Sequence, residues 1–111
     1  MTCLEDTYHF LAPKTYSGEA DDYTIIHAMV QRPTDNLRHP HAVVYNKKTG
    51  NIHEVSNDFK KNNVIMPFIT WIKMGKVSHI HQYTFQEYNN NLLKTERWDF
   101  WDLIKKGIIK I

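Results

Sequence analysis

The chain has 111 residues, and its composition, with 41% hydrophobic and 23% charged residues, is that of an ordinary folded protein. This excludes disordered, collagen-like and coiled-coil proteins, and the length predicts a single domain over residues 1–111. The formal net charge of +2 is too small to require a nucleic-acid partner.

The cysteine content and the hydropathy of the chain indicate its compartment. Cys3 is the only cysteine, which excludes an internal disulfide and favours a reducing environment. Residues 1–10 are polar and do not resemble a signal peptide, and no apolar run is long enough to cross a bilayer. We therefore expect a cytoplasmic protein that does not enter a membrane.

Hydrophobic periodicity predicts one helix, then strands, then further helices. The first helix, over residues 2–11, would begin in a capping box, because Thr2 precedes Glu5 by three positions, and would end before Pro13. The later elements are a polar turn over 16–22, strands over 23–32, 41–46 and 51–56 with a loop over 33–40, a helix or strand over 64–74, a strand over 76–84, and helices over 85–94 and 98–106. This order predicts an α+β domain with a three- or four-stranded antiparallel sheet.

The predicted hairpin around Gly50 is the most informative segment. Gly50 can adopt the left-handed conformation at the third position of a three-residue loop, which would place His41 opposite Asn57. A register one residue away would set Val43 against Glu54, an apolar side chain against a charged one. We therefore expect the first register.

In that register, a histidine and an asparagine face each other as two members of a nucleophilic triad. The amide oxygen of Asn57 would accept from one ring nitrogen of His41 and leave the other free to act as a base. Cys3 lies at the start of the predicted helix, where the helix dipole stabilises a thiolate. Cys3, His41 and Asn57 are therefore the candidate catalytic residues. The plainer interpretations are a buried apolar thiol, a solvated strand-end histidine and a turn asparagine.

Several short motifs follow one another in an order that is typical of a known family. They are Cys3 before a helix, YTIIHAMV over residues 23–30, HAVV over 41–44, GNIHEVSN over 50–57, YTFQEY over 83–88 and WDFWD over 98–102. In this order the chain resembles the small papain-like and transglutaminase-like cysteine-hydrolase domains of phage and bacterial proteins. Their layout is a Cys that opens a helix, a His-Ala-Trp-Val strand, a hairpin ending in Asp or Asn, and a terminal Trp-Asp motif.

The resemblance implies a fold, a reaction and a role for each candidate residue. The fold would be papain-like, with the helix that carries Cys3 packed on the sheet. Cys3 would be the nucleophile, His41 the general base and then acid, and Asn57 the residue that orients His41. The reaction would be acyl transfer through a thioester, without a cofactor, on an amide or ester of a protein, a peptide or a small molecule.

A metal-binding protein is the second interpretation, because the sequence contains two His-x-His pairs. The pairs are His39 with His41 and His79 with His81. Residues i and i+2 of a strand share a face, so each pair could bind Zn²⁺, Fe²⁺ or Cu²⁺, with Glu54 or His53 completing a site. Pro40 disturbs the first pair as a regular strand. The two interpretations compete for His41, since a metal-bound imidazole cannot act as a base.

A catalytically silent interaction module, similar to a phage effector, is the third interpretation. Its aromatic residues would stack on bases or form a protein interface, and paired lysines would contact phosphate. These residues are Trp71, Tyr83, Phe85, Tyr88, Trp98 and Trp101, with Lys60–Lys61 and Lys105–Lys106. Helical spacing of the last tryptophans favours core packing instead, so nucleic-acid binding is disfavoured. The apolar tail over 108–111 is either an edge strand or a contact patch, and leaves a homodimer open.

Overall fold

The computed structural model describes residues 3–31, 36–55 and 64–109. The helices in these ranges are α1 (Cys3–Leu11), α2 (Phe68–Met74), α3 (Phe85–Thr95) and α4 (Trp101–Lys105), and short 3₁₀ helices span Ala12–Thr15 and Glu19–Asp22. The strands are β1 (Tyr23–Gln31), β2 (Arg38–Asn46), β3 (Asn51–Glu54), β4 (Val64–Pro67) and β5 (Ser78–Tyr83). None of the helices in these ranges combines the length and the apolar character that crossing a bilayer requires.

The strands form one five-stranded sheet in the order β4-β3-β2-β1-β5, and each neighbouring pair is antiparallel. The predicted α+β class is confirmed, with an N-terminal helix and helices after the sheet. The predicted number of strands is too low, because the apolar run over 64–74 divides at Pro67. Its first part forms the edge strand β4 and its second part forms α2. Periodicity alone did not distinguish these two possibilities.

Side chains that alternate along the strands form a hydrophobic cluster on each face of the sheet. The cluster beneath α2 contains Ile26, Ala28, Val30, Val43, Ile52 and Trp71. The cluster on the other face contains Leu11, Ile25, Val44, Tyr83 and Tyr88, with Leu92 and Trp101 packed against it. Helices α1, α3 and α4 therefore share one face of the sheet, and α2 covers the other.

Helix α1 is held on the sheet by one buried stripe. Leu4, Thr7 and Leu11 are spaced three or four residues apart and are all buried, so they face the sheet. The helix packs mainly against β2. The predicted capping residue Thr2 lies outside the described residues, whereas the helix predicted from its periodicity is confirmed from Cys3 to Leu11.

The two C-terminal helices begin and end for identifiable reasons. Helix α3 begins at a capping box, in which the Thr84 hydroxyl accepts from the Glu87 amide at 3.1 Å and the Glu87 carboxylate accepts from the Thr84 amide at 2.9 Å. Helix α4 is shorter than predicted and begins at Trp101 rather than at Trp98. The Asp99 carboxylate accepts from the Phe100 amide at 2.9 Å, a local bond that competes with helical geometry.

The register of the β2–β3 hairpin differs from the expected one. Asn46 pairs with Asn51, and Val44 pairs with His53. This is the alternative register, so the expected register is wrong over the residues that pair, and Asn57 lies outside the described residues. Glu54 occupies the next position along β3 and is only 7% exposed. The register thus directs a carboxylate into the protein interior.

The loop between the two strands explains this register. The loop begins at Lys47, so it is one residue longer than the three-residue loop expected from Gly50. The Asn46 carboxamide accepts from the amides of Lys48 and Thr49 at 2.9 and 3.3 Å, and the Asn46 carbonyl accepts from the Gly50 amide at 2.8 Å. Gly50 does adopt a positive φ of 77°, as expected. The asparagine turn therefore decides which residues pair.

Strand β2 begins earlier than predicted. The sequence predicts a loop up to Pro40, whereas β2 begins at Arg38 and contains Pro40 opposite Met29 of β1. Proline has no N–H group and fits a strand where no ladder bond is required from it. The described pairing of β3 with β2 stops at Val44, so the neighbouring edge of β2 at Pro40 needs no such bond within the described ranges. The expectation that Pro40 prevents a regular strand is therefore wrong.

Candidate active site

His41 of β2 lies between two side chains from other elements. Its Nε2 atom is 2.7 Å from Oε2 of Glu54, and the two side chains are only 14% and 9% exposed. The side chain of Cys3 lies close enough to the His41 ring to raise its pKa. The structure therefore brings Cys3, His41 and Glu54 together at one point.

Each of these residues occupies the end of an element or a position close to it. Cys3 is the first residue of α1, and Glu54 is the last residue of β3. His41 lies in the first half of β2, just beyond the part that pairs with β3. Glu54 reaches His41 diagonally across the two strands, because its own neighbour in the observed register is Val43.

The electrostatic environment keeps His41 positively charged. Burial of the ring lowers its pKa, but hydrogen bonds and negative charge from Cys3 and Glu54 outweigh burial and raise the pKa from 6.5 to about 10. The ring is therefore an imidazolium at neutral pH. The thiolate is the nucleophilic form of cysteine, so a cysteine close to this ring is a candidate nucleophile.

The two nitrogens of the His41 ring have different partners. The Glu54 carboxylate accepts from Nε2, which leaves Nδ1 as the nitrogen available to the Cys3 sulfur. Cys3 is a free cysteine that is partly exposed. A nucleophile, an acid–base group and a carboxylate that fixes the acid–base group are the parts of a catalytic triad.

Sequence reasoning did not assign Glu54 to this site. Asn57, the residue expected to orient His41, lies outside the described residues. From the sequence, Glu54 is considered only as a possible metal ligand, and the register that places it opposite Val43 is disfavoured. The signal was nevertheless present, since Ile52 and Glu54 share a strand face. A buried carboxylate requires a charged or hydrogen-bonding partner, and His41 on the next strand is such a partner.

The histidine pairs of the metal-binding interpretation have other partners. His41 is bound to Glu54, and its ring centroid is 6.1 Å from that of His39. His79 Nδ1 lies 2.9 Å from the Ser78 hydroxyl, and His81 Nε2 lies 3.2 Å from the Asp102 carboxylate. Within the described ranges, no group of three or more His, Cys, Asp or Glu side chains is arranged to hold a metal ion.

His81 belongs to a polar cluster that joins α4 to β5. The Tyr83 hydroxyl donates to the Asp102 carboxylate, which also pairs with His81. Burial and the neighbouring Asp102 carboxylate raise the pKa of Tyr83 above its ordinary value, so Tyr83 remains a neutral donor. Asp102 thus fixes the last helix to the edge strand at two points.

His27 forms a separate buried cluster at the centre of β1. It is fully buried, and its Nε2 atom is 3.1 Å from the Tyr88 hydroxyl. Burial lowers the pKa of His27 to about 3. His81 also lowers this pKa, and its effect is larger than the opposite effect of Asp102. The ring is therefore neutral, and its Nδ1 atom has no hydrogen-bond partner among the described residues.

Three of the six aromatic residues of the interaction-module interpretation lie in the protein interior. Trp71, Tyr83 and Tyr88 are almost completely buried, and Trp98 is 37% exposed. Buried rings cannot stack on the bases of a nucleic acid. The apolar tail also forms no strand as far as it is described, because the amides of Ile108 and Ile109 bond back to the Leu103 carbonyl.

Comparison of the chain with protein-family models, with curated proteins and with solved structures finds no match. The geometry around His41 is therefore the basis for a functional assignment.

Proposed function

We propose that the protein is a papain-like thiol hydrolase or acyltransferase in which Cys3 is the nucleophile and His41 transfers protons. Glu54, rather than Asn57, orients His41. One observation carries the proposal: the His41 ring binds the Glu54 carboxylate at 2.7 Å, and the Cys3 side chain is near enough to raise the pKa of that ring. The substrate would be an amide or an ester on a protein, a peptide or a small molecule.

The first half of the reaction forms a thioester. The Cys3 thiolate attacks the carbonyl carbon of the substrate, forming a C–S bond and a tetrahedral oxyanion. The bond from this carbon to the leaving nitrogen or oxygen then breaks. The leaving group takes the Nδ1 proton of the His41 imidazolium, so an amine or alcohol departs and His41 becomes neutral.

The second half releases the acyl group and regenerates the site. Neutral His41 removes a proton from water, and the oxygen of that water bonds to the thioester carbonyl carbon. The C–S bond breaks, the acid departs, and Cys3 is again a thiolate beside the His41 imidazolium. An amine or alcohol that replaces water at this step would make the protein an acyltransferase.

Glu54 supports this reaction better than a neutral side chain would. His41 changes between imidazolium and imidazole in each half-reaction, and the carboxylate favours the charged form in which each cycle begins. Its hydrogen bond to Nε2 also fixes the ring orientation and leaves Nδ1 free to exchange a proton.

Acylation with p-nitrophenyl acetate tests the proposal. We expect a burst of p-nitrophenolate equal to the protein concentration, and mass spectrometry should locate the acetyl group on Cys3. Cys3→Ala should abolish the burst, and wild-type protein unfolded in urea is the matched control for an ordinary thiol. A folded wild-type protein that reacts no faster than the unfolded chain would overturn the proposed function.

A further inference from the structure

Helices α1 and α3 leave a groove between them on the surface of the protein. The groove has two compartments, of about 330 and 450 Å³, and Tyr8 of α1 and Asn89 of α3 line both of them. The Tyr8 hydroxyl donates to the side-chain oxygen of Asn89 at 3.2 Å, so a hydrogen bond joins the two helices between the compartments. The compartments therefore adjoin each other along the same pair of helices.

The first compartment combines aromatic rings with a carboxylate. Its lining includes Tyr8 and Trp98, whose ring centroids are 5.3 Å apart at an interplanar angle of 72°, and also Glu96. Glu96 is exposed, and its side chain has no hydrogen-bond or ion-pair partner among the described residues. Arg97 also lines this compartment, but Asp99 lies 3.6 Å from it and offsets its charge. The compartment therefore presents an unpaired negative charge beside two aromatic side chains.

The second compartment repeats this combination. Its lining includes the aromatic residues Tyr16 and Phe85 and the acidic residue Asp21. Asp21 is exposed, and its carboxylate has no partner in the part of the chain that the structure describes. Tyr16 is 95% exposed, so its ring is available for contact with another molecule. The two compartments therefore have the same chemical character.

Carboxylates next to aromatic rings attract organic cations. The head group of a lysine or arginine is stabilised by both, and its aliphatic stem packs on apolar side chains. Leu93 and Trp98, which are 73% and 37% exposed, provide such apolar surface in the first compartment. The whole chain has a net charge of +2, so a cation has no general attraction to this protein and would be drawn to these local carboxylates.

We propose that the groove between α1 and α3 binds a peptide segment with two basic side chains, one held at Glu96 and the other at Asp21. Gln86 lines the second compartment and precedes Glu96 by ten positions, which corresponds to about 15 Å along a helix. An extended peptide covers this distance in about five residues. The partner is thus a basic sequence with two lysine or arginine residues about five positions apart.

The groove is separate from the candidate active site. Cys3 and Tyr8 are five positions apart on α1, so their side chains project about 140° apart around the helix axis. Neither compartment is lined by Cys3, His41 or Glu54. The inference therefore goes beyond the proposed function and does not depend on it.

Fluorescence anisotropy with a labelled peptide tests the inference. The probe is a nine-residue peptide of alanine and leucine with lysine at its third and eighth positions, and both lysines are glutamates in the comparison peptide. We expect the lysine peptide to bind the protein at least about tenfold more tightly than the glutamate peptide, since like charges repel at both ends of the groove. Equal affinities for the two peptides would overturn the proposal.

Variants of the two carboxylates locate the binding site. Asp21→Asn and Glu96→Gln should each weaken binding of the lysine peptide by about threefold, and the double variant by about tenfold. Glu19→Gln is the matched control, because Glu19 is exposed, already pairs with Lys14 at 3.6 Å and lines neither compartment. It should bind the peptide as wild type does. A double variant with wild-type affinity would overturn the assignment to this groove.

Cys3→Ala distinguishes this inference from the proposed function. It should bind the lysine peptide with wild-type affinity, although it gives no burst with p-nitrophenyl acetate. Loss of peptide binding in Cys3→Ala would place the peptide at the active site and overturn the groove assignment. A wild-type protein that binds the peptide and gives no burst would overturn the proposed function and support the groove.

Discussion

The Nε2 atom of His41 and the Oε2 atom of Glu54 are 2.7 Å apart, on neighbouring strands whose register is fixed by the turn at Asn46. This bond explains how a carboxylate is accommodated in the interior, and the Cys3 and Glu54 side chains together keep the pKa of the buried ring high. The bond also occupies one of the two ring nitrogens and leaves Nδ1 available to another partner. The chemical character of the site therefore depends on the pairing of these two strands.

Removal of the Glu54 charge should weaken the nucleophile. We expect Glu54→Gln to lower the rate of Cys3 alkylation at pH 6 by about tenfold, because the charged form of His41 loses its stabilising partner. The measurement is the second-order rate constant with iodoacetamide. Asn57→Ala serves as the comparison and should leave the rate unchanged. If Asn57→Ala lowered the alkylation rate and Glu54→Gln did not, Asn57 rather than Glu54 would be the residue that orients His41.

The protonation of His41 can be observed directly by NMR. Its folded pKa of about 10 means that the ring carbon shifts should not titrate between pH 5 and pH 8. Glu54→Gln should move the titration toward lower pH, since one of the causes of the raised pKa is removed. A wild-type midpoint near the ordinary value of 6.5 would contradict the imidazolium assignment.

His27 should make the fold sensitive to acid. Its folded pKa is about 3 against an ordinary value of 6.5, so below pH 6.5 the unfolded chain binds a proton that the folded protein does not. The free energy of unfolding should therefore decrease as the pH falls from 6.5 toward 3, by up to about 1.4 kcal/mol per pH unit.

Urea unfolding of wild type and His27→Gln at pH 4 and pH 7 isolates this effect. Gln retains a donor for Tyr88 but does not titrate, so its free energy of unfolding should change less between the two pH values. An equal change in both proteins would show that His27 is not the source of the acid sensitivity.

Asp102 should contribute to stability through its contacts with β5. Asp102→Asn weakens the bonds to Tyr83 and His81, and we expect a loss of about 1–3 kcal/mol in the free energy of unfolding. Asp99→Asn is the control, because Asp99 pairs with the exposed Arg97 at 3.6 Å and such surface pairs contribute less than about 1 kcal/mol. Equal losses in the two variants would contradict this role for Asp102.

The fold class and most elements could be predicted from the sequence because they depend on local patterns. The helix that follows Thr84 begins at a capping box, and the buried strand over residues 23–31 consists of apolar and β-branched side chains. The edge strand β4 could not be distinguished from the helix that follows it, since both are apolar and Pro67 permits either. Strand order is a tertiary property that periodicity does not encode.

The site could be predicted only in part. Residue type and helix position predict Cys3 and His41 as members of one site, and Cys3 lies close enough to the His41 ring to raise its pKa. Glu54 was missed because the register of the β2–β3 hairpin was predicted from which side chains would face each other. The hydrogen bonds of the turn at Asn46 determine that register instead. An apolar–charged pair on facing strands is tolerated here because the charge has its partner on the diagonal, at His41.

The dependence of Cys3 reactivity on His41 tests the central claim most directly. The measurement is the rate of Cys3 alkylation by iodoacetamide at pH 6, compared between wild type and His41→Gln, a variant that can still donate to Glu54. The account predicts that wild type reacts at least about tenfold faster, since an ordinary thiol is almost entirely protonated at this pH. Equal rates in two folded proteins would contradict it.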